Sequence, residues 1–308
     1  MSHRFWPAAA AAVAGIQVGS AMVATRLVVD QAGPASLALV RYVLGVGCLL
    51  PAMLLTRSRA RFAPRDVVPI ALLGITQFGI LIALLNYGLR SVPSARAALI
   101  FATFPLLTSL VAAALGRERL TLSKLTGVVL TMLGVGLALG DKTLQHGAAG
   151  DGWVGELAVF ASALSGAVCS VLYRPYLEKY PTLPVSAFAM LASVVFLVPL
   201  AAGEGFFAAR PGFTPVGWMA VAFIGLGSGG GYYLWLWALN HATPTQVTAF
   251  LALSPVTAAA LGAWLLGEPV SPLAALGLVA VAAGLVLAHR RAGDTPGLAL
   301  DSERGSAL

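Results

Sequence analysis

Charged residues are scarce in this chain of 308 residues. Asp, Glu, Lys and Arg together make up 10% of it, whereas hydrophobic residues make up 58%. A soluble domain carries about 25% charged residues, so this chain cannot cover a globular surface with polar groups. The hydrophobic residues occur in runs of about 20, the length of a helix that crosses the hydrocarbon core of a bilayer. The composition excludes an ordinary soluble protein and predicts a helical protein that crosses the membrane several times.

Cysteine is also rare. Cys48 and Cys169 both lie inside apolar runs, and neither has a second cysteine or a histidine at a spacing that suits a metal. We interpret them as small buried hydrophobic residues, and two cysteines are too few for a disulfide scaffold. The sequence predicts no metal site.

The motifs of common enzymes are missing as well. The chain contains no His-Glu-x-x-His zinc motif, no Gly-x-x-x-x-Gly-Lys-Ser/Thr phosphate loop and no Gly-x-Ser-x-Gly nucleophile turn. Residues 225–230 formally satisfy Gly-x-Gly-x-x-Gly, but dinucleotide binding also needs a preceding strand and an acidic residue about 20 positions later. We predict that the protein is not an enzyme, hydrolyses no ATP and binds no cofactor.

The chain does contain an internal repeat. Residues 87–140 match residues 237–289 without a gap when they are shifted by 150 positions. The shift places Pro105 on Pro255, Glu118 on Glu268, Gly127 on Gly277 and Gly134 on Gly284. Self-similarity of this kind indicates an architecture built from repeated units. We conclude that the chain is a duplicated unit.

Ten apolar runs are separated by short segments rich in turn-forming residues. If the runs cross in alternating directions, thirteen of the nineteen Lys and Arg residues fall on the N-terminal side, five fall on the opposite side, and Arg41 lies within a run. Basic residues concentrate in cytoplasmic loops, so we predict a multi-pass protein of the cell (inner) membrane with both termini cytoplasmic. The net charge of +7 follows from this topology rather than from a nucleic-acid partner. The runs cover approximately residues 5–28, 35–56, 67–89, 97–115, 124–140, 153–173, 183–202, 216–239, 245–266 and 271–289.

Five runs per copy is an odd number, so the second copy enters the membrane from the side opposite to the first. We therefore predict an all-α integral membrane fold of ten transmembrane helices, arranged as two inverted five-helix repeats. The first repeat covers residues 1–145 and the second 146–289, followed by a disordered cytoplasmic tail at 290–308. Inverted repeats are common in secondary transporters, whose substrate site lies near the middle of the membrane between the repeats.

Several motifs recur in the two copies or stand out within them: Arg41 within Leu39-Val40-Arg41-Tyr42, Pro105, Gly116 to Leu120 with Gly127 and Gly134, and Pro255, Gly267-Glu268, Gly277 and Gly284. These motifs resemble those of the EamA-type branch of the drug/metabolite transporter superfamily. The resemblance covers residues 5–289 and implies a ten-helix permease made of two five-helix repeats, but it says almost nothing about the substrate. Position 189, which aligns near Arg41, is an alanine, so any role of the arginine belongs to the first half alone.

Arg41 is the strongest candidate for a binding residue. It lies about two turns inside the second run, with apolar residues on both sides. A charge at such a depth costs on the order of 2.5–3.5 kcal/mol, so a water-filled cavity, a partner or a ligand carboxylate must compensate. The alternative is that Arg41 extends toward the membrane interface or pairs with backbone carbonyls.

Amide and aromatic side chains complete the predicted site. An amide without a partner is costly in hydrocarbon, so those in the runs should face the interior, although hydrogen bonds between helices explain any single one equally well. Ser228, Tyr232 and Trp235 share one face of the eighth run, which suits either a cavity wall or close packing with an interfacial aromatic belt. The predicted substrate-binding residues are Arg41, Gln17, Gln77, Asn86, Tyr87, Tyr232, Trp235 and Gln246.

Flexible points are predicted at two prolines and one glycine. Pro105 and Pro255 lie in the middle of their runs, where proline removes a backbone hydrogen bond and kinks a helix. Gly229 belongs to a segment, residues 225–231, with five glycines in seven positions, and such a helix bends readily. Glu268 lies at the end of a run, where ion pairing or helix capping is the favoured role.

We expect a secondary transporter of small metabolites that works by alternating access between the two repeats. The resemblance implies an exporter of amino acids or related polar or amphipathic compounds. The rival interpretations are an integral membrane enzyme and a non-transporting scaffold. The expected partners are a small-molecule substrate and the lipid bilayer, without nucleic acid, and the expected state is a monomer or homodimer.

Overall fold

A computed structural model describes residues 2–56, 61–117, 126–127, 129–130, 132–137, 153–208 and 212–290. Regular structure in these residues is entirely helical. A π-helical turn, Ile75–Ile80, joins α3 to α4, and 3₁₀ turns occupy Val29–Gln31 and Phe250–Ala252. The helices are α1 (Ser2–Val28), α2 (Pro34–Thr56), α3 (Pro64–Gly74), α4 (Leu81–Gly88), α5 (Ser94–Phe101), α6 (Phe104–Ala114), α7 (Val154–Lys179), α8 (Thr182–Gly203), α9 (Pro215–His241), α10 (Pro244–Ala249), α11 (Leu253–Leu266) and α12 (Pro272–Arg290).

Eight segments of the described chain are long and apolar enough to cross a membrane. They contain 21 to 27 residues with mean hydropathies of 1.2 to 2.3, and about 20 apolar residues suffice. The prediction of an all-helical membrane protein is confirmed. The fifth predicted run, 124–140, is described only in part, and the tenth gives the shorter apolar helix Pro272–Gly284. Glu118 and the tail beyond residue 290 lie outside the described residues.

The outer surface of the helix bundle is apolar. Leu55 is 84% exposed and Trp264 is 77% exposed, and many other large hydrophobic side chains also point outward. A helix that is hydrophobic on all sides is typical of a membrane span, since lipid chains cover the face that water would otherwise contact. The polar residues that remain inside the bundle are therefore informative about function.

The two halves of the chain interlock. Helix α1 packs on α9 and α11, while α7 packs on α4 and α6. Helix α2 packs on α8 and α9, and α8 packs on α2 and α3. The helices α5 and α6 contact α11 and α10, respectively. The bundle core is consequently built between the halves rather than within each one.

Glycines allow some of these helices to touch backbone to backbone. A Cβ atom at Gly15 would collide with the carbonyl group of Phe250, and one at Gly19 with that of Ser254. Glycines spaced four apart permit such close helix contacts in membranes. Gly229 packs against Gly45 in the same way, and α9 runs through residues 225–231 without a break.

Both repeats contain a broken helix just before their matching prolines. Helix α5 ends at Phe101, and Pro105 stands in the first turn of α6. In the second half the 3₁₀ turn Phe250–Ala252 precedes Pro255. A hydroxyl group binds a carbonyl at each break, because Thr103 Oγ1 donates to Ile100 at 2.8 Å and Ser254 Oγ donates to Leu251 at 2.7 Å. The role of these breaks in motion stays a prediction.

Candidate functional site

A small cavity lies at the centre of the bundle, between the two halves. It is lined by side chains of α1, α2, the π turn, α4, α5, α6, α9 and the second 3₁₀ turn. Its volume is about 60 Å³, and one water needs roughly 10–15 Å³, so it holds a few waters but no metabolite. The cavity is therefore closed in this conformation. Its polar lining residues are Gln17, Thr25, Arg41, Gln77 and Tyr232.

Arg41 is the charged group of this cavity. Its side chain is buried, with 6% of the residue exposed, and its Nε donates to Ser228 Oγ at 2.6 Å. The Ser228 hydroxyl donates its own proton to the Ile224 carbonyl at 2.6 Å, so its lone pairs are free to accept from Arg41. The guanidinium carbon lies 5.6 Å from the centroid of the Tyr42 ring. Helix α9 and Tyr42 thus fix the orientation of the guanidinium.

Arg41 lacks an acidic partner within the described chain. The ion pairs found there are formed by other residues near the ends of the helices. A guanidinium has five N–H donors, and only Nε has a partner among the described residues. A buried charge without a partner is unfavourable, so the remaining donors are suited to an anionic group that enters the cavity.

Two amide side chains of the cavity are incompletely hydrogen-bonded. Gln77, in the π turn, donates from Nε2 to the Tyr232 hydroxyl, and its Oε1 has no partner. Gln17 Nε2 also has no partner, and its side chain packs against Gly227 and Gly231. An unpaired buried polar group costs about 1–3 kcal/mol. Two residues that line the cavity thus each carry a buried polar atom, one donor and one acceptor, whose hydrogen bond is not made in this conformation.

Aromatic rings form much of the remaining wall. The Tyr232 ring centroid lies 4.2 Å from that of Phe78, and the Trp235 ring stands perpendicular to Phe104 at 6.1 Å. The shared face predicted for Ser228, Tyr232 and Trp235 points at the cavity, since Ser228 binds Arg41 and the two aromatics line it. Such a wall suits an apolar side chain.

The structure brings five of the eight predicted binding residues to the cavity. Asn86 is buried elsewhere, with Nδ2 donating to the Pro34 carbonyl at 2.9 Å. Tyr87 is 47% exposed on the outside of the bundle. Gln246 is exposed and forms a capping box with Thr243 at the start of α10. The five that line the cavity are Arg41, Gln17, Gln77, Tyr232 and Trp235.

Carboxylates tie the halves together at one end of the bundle, which we call the Arg26 face. Glu268 accepts hydrogen bonds from the Ser94 amide at 3.1 Å and from its hydroxyl, and lies 3.8 Å from Arg26 Nε. Glu204 accepts from the amides of Ala35 at 3.0 Å and Ser36 at 2.7 Å. Both carboxylates bind the N-terminus of a helix from the other half, where the helix dipole favours negative charge. Glu268 makes both of the interactions expected from its position.

A second cluster closes the opposite end, which we call the Asp66 face. Asp66, in the first turn of α3, accepts from the Tyr180 hydroxyl at 2.6 Å and from Lys179. The Tyr180 hydroxyl in turn accepts from the Ala63 amide at 3.0 Å. These bonds join the start of α3 to the end of α7. The cavity is accordingly sealed between two cross-linked faces.

These features define a multi-pass helical membrane protein with a small, mostly apolar cavity between its two halves, into which a few polar side chains project. The sequence profile of the EamA-like transporter family matches residues 5–140 and again residues 153–290. The chain therefore belongs to the EamA-like transporter family, and it is a membrane transporter built from two copies of the family's unit. The resemblance seen in the sequence is confirmed.

Relatives in other organisms support the same assignment. A protein of Streptantibioticus cattleyicolor named "Probable terminal-alkyne amino-acid exporter" is 33% identical over 279 residues, covering 88% of this chain and 89% of the relative. The "Uncharacterized inner membrane transporter YedA" of Escherichia coli K12 is 29% identical over 283 residues, covering 87% and 86%. A solved crystal structure at 22% identity covers 94% of this chain and 99% of its own, with a TM-score of 0.71, which shows a shared fold.

Proposed function

We propose that this chain is a secondary exporter of small metabolites that carry a carboxylate, such as amino acids. In this proposal two inverted five-helix repeats, residues 1–145 and 146–289, expose the central cavity alternately to the two sides of the membrane. Both termini are cytoplasmic, so the Asp66 face is the cytoplasmic one. The substrate and the surrounding lipid are its partners, and the unit is a monomer or homodimer.

The observation that carries the proposal is that the Arg41 guanidinium lines the cavity without an acidic partner among the described residues. A carboxylate can bind its free N–H groups in a bidentate manner. Gln77 Oε1 is a free acceptor on the same cavity, which suits the ammonium group of an amino acid. The apolar and aromatic wall suits the side chain. The printed name of the Streptantibioticus cattleyicolor relative, an amino-acid exporter, agrees with this substrate class.

The packing of the helices supports the inverted arrangement. Exchanging the halves turns α1 into α7, α2 into α8, and α3 with α4 into α9. The contact of α1 with α9 then has its counterpart in that of α7 with α4, and the contact of α2 with α9 in that of α8 with α3. At the Arg26 face, α1 ends near Arg26, whereas α7 begins near Glu156, which lies 3.9 Å from Arg96. These positions support the proposal that equivalent helices of the two halves run in opposite directions, as inverted repeats require.

A contact outside the cavity supports the same symmetry. A Cβ atom at Gly134 would collide with the carbonyl oxygen of Gly277. The sequence repeat equates Gly134 with Gly284 and Gly127 with Gly277. A twofold relation between the halves would repeat this contact between Gly127 and Gly284. The fifth and tenth runs would then pack on each other across the axis as scaffold.

Transport in proteoliposomes tests the proposal. We expect efflux or exchange of at least one radiolabelled amino acid from a panel, and about a 10–100-fold rise in KM for Arg41→Ala, because losing charged hydrogen bonds costs about 1.5–3 kcal/mol. Arg174→Ala is the matched control, since Arg174 lies outside the cavity and pairs with Glu178 of its own helix at 3.1 Å. Absence of flux for the whole panel, with or without a proton gradient, would favour a scaffold or a membrane enzyme instead.

A further inference from the structure

Three tyrosines from three helices meet between the cavity and the Asp66 face. Tyr42 in α2 and Tyr173 in α7 are fully buried, and Tyr232 belongs to both this group and the cavity wall. The three side chains belong to the same packed core of the bundle. Phe78 packs between two of them, 5.1 Å from the Tyr42 ring and 4.2 Å from the Tyr232 ring. We call Tyr42, Tyr173 and Tyr232 the tyrosine layer.

Two of the three hydroxyl groups of this layer lack the partners that buried tyrosines normally have. The Tyr42 and Tyr173 hydroxyls are enclosed by the protein, and neither makes a hydrogen bond. The neighbouring Gln77 Oε1 is also unpaired, and it is presented by a π turn, a feature frequent at functional sites. Phenylalanine would fill the same space without this penalty, as Phe78 does. We therefore expect these hydroxyls to form hydrogen bonds with a polar group in another conformation of the protein.

The layer continues the path that begins at Arg41. The Tyr42 ring lies beside the guanidinium, and Tyr173 lies less than two turns before Lys179, whose ammonium binds Asp66. A molecule that moved from the cavity to the Asp66 face would pass these hydroxyls. The contacts of Asp66 that close this face include its ion pair with Lys179, whose side chain is 41% exposed. Exposed ion pairs contribute little to stability, so this contact can break when the face opens.

We propose that the tyrosine layer is a second polar subsite of the transport path. It is closed here, and it fills with water and hydrogen-bonds the polar end of the transported molecule when the halves separate at the Asp66 face. This inference rests on the proposed function. A phenol both donates and accepts hydrogen bonds, so the subsite takes a neutral or zwitterionic group and, unlike Arg41, does not select for negative charge.

A native cysteine reports whether the layer opens. Cys169 is buried one turn before Tyr173, with Sγ 3.8 Å from the Leu73 carbonyl oxygen. The chain has two cysteines, so Cys48→Ala leaves Cys169 as the single thiol. In proteoliposomes we expect a charged, membrane-impermeant methanethiosulfonate to modify Cys169 from one side, at a rate that a transported amino acid changes. The extent of modification is measured by mass spectrometry.

An unreactive Cys169 would contradict the inference. If Cys169 stays unreactive in the folded protein with and without amino acid, and reacts only after denaturation, the layer does not open and the inference is wrong. Modification of Cys169 is measured without any transport assay, so it tests the subsite independently of the proposed transport function. Flux with an unreactive Cys169 overturns the subsite alone, whereas modification without flux overturns the transport proposal and keeps the opening.

Removal of one hydroxyl distinguishes a subsite from a packing role. For Tyr173→Phe we expect an unchanged or higher melting temperature in detergent, together with about a tenfold loss of transport efficiency, the equivalent of about 1.4 kcal/mol. Tyr176→Phe, one turn further along α7, is the matched control and should keep full transport. A lower melting temperature with normal transport would show that the Tyr173 hydroxyl is a structural group, and it would contradict the subsite.

Discussion

Ser228 holds the Arg41 side chain in position. The serine hydroxyl donates to its own helix and accepts from Arg41 Nε at 2.6 Å, which turns the outer edge of the guanidinium toward the cavity. A free arginine side chain would lose about 2 kcal/mol of rotamer entropy on binding a ligand. Ser228 and the Tyr42 ring already hold the guanidinium, so this rotamer entropy is lost during folding and not when a ligand binds.

Ser228→Ala tests this positioning role. We expect KM for the transported amino acid to rise about tenfold, because one charged hydrogen bond of about 1.5 kcal/mol is lost. Ser186→Ala is the control, since Ser186 is equally buried and its hydroxyl also bonds the carbonyl four residues earlier, at 2.8 Å. Initial rates in proteoliposomes measure the effect. An equal change in both variants would mean that Ser228 acts only through helix stability.

The sequence predicts which polar residues face the interior of the bundle better than it predicts which of them reach the cavity. Arg41, Gln17 and Gln77 stand out because a polar group deep in an apolar run must face the interior. The sequence did not distinguish Gln246 from these interior residues. Its capping role becomes visible only when the start of α10 is known. Tyr173 gave no signal, because tyrosine is common at membrane interfaces and only the packing shows that its hydroxyl is buried and unpaired.

At the level of the helices, apolar runs predict the spans well and their internal breaks poorly. The run 67–89 became α3, a π turn and α4, and no residue type marks a π turn. The breaks before Pro105 and Pro255 follow from proline chemistry. The predicted flexibility of the glycine segment 225–231 stays a prediction. In this conformation α9 is continuous there, and Gly225 and Gly229 allow close packing against Leu44 and Gly45.

Gly74→Ala tests how much such packing contributes. A Cβ atom at Gly74 would collide with the Ala189 backbone, and overpacking typically costs about 1–3 kcal/mol. We expect a lower thermal unfolding temperature in detergent. Gly47→Ala is the control, because a Cβ there meets nothing within 4 Å, and it should be neutral or slightly stabilising. Equal stability of the two variants would contradict the backbone contact between α3 and α8.

At the scale of the whole molecule, the fold joins two halves that each need the other. The offset of 150 residues and the odd number of runs predict inverted repeats, and the pairing of helix contacts supports that prediction. Sequence could not show the closed state of the cavity, because closure depends on contacts between distant residues, such as Ser94 with Glu268 and Asp66 with Tyr180.

A reversible cross-link at the Arg26 face tests whether the halves must separate there. In a background without native cysteines, Ser94→Cys and Glu268→Cys place two thiols where the hydroxyl and carboxylate now meet. We expect oxidation or a short bifunctional reagent to abolish transport, and reduction of the disulfide to restore it, because this face can no longer open. Each single variant serves as the control. Undiminished transport by the cross-linked protein would rule out opening at this face.

The most direct test of the account compares an amino acid with its carboxamide, which has the same shape without the negative charge. Competition for transport in proteoliposomes should favour the carboxylate by about tenfold or more in the wild type, since the charged hydrogen bonds of Arg41 are worth about 1.5–3 kcal/mol. Arg41→Ala should accept both compounds equally. If the wild type transports the carboxamide as well as the amino acid, Arg41 does not bind the carboxylate, and the account is contradicted.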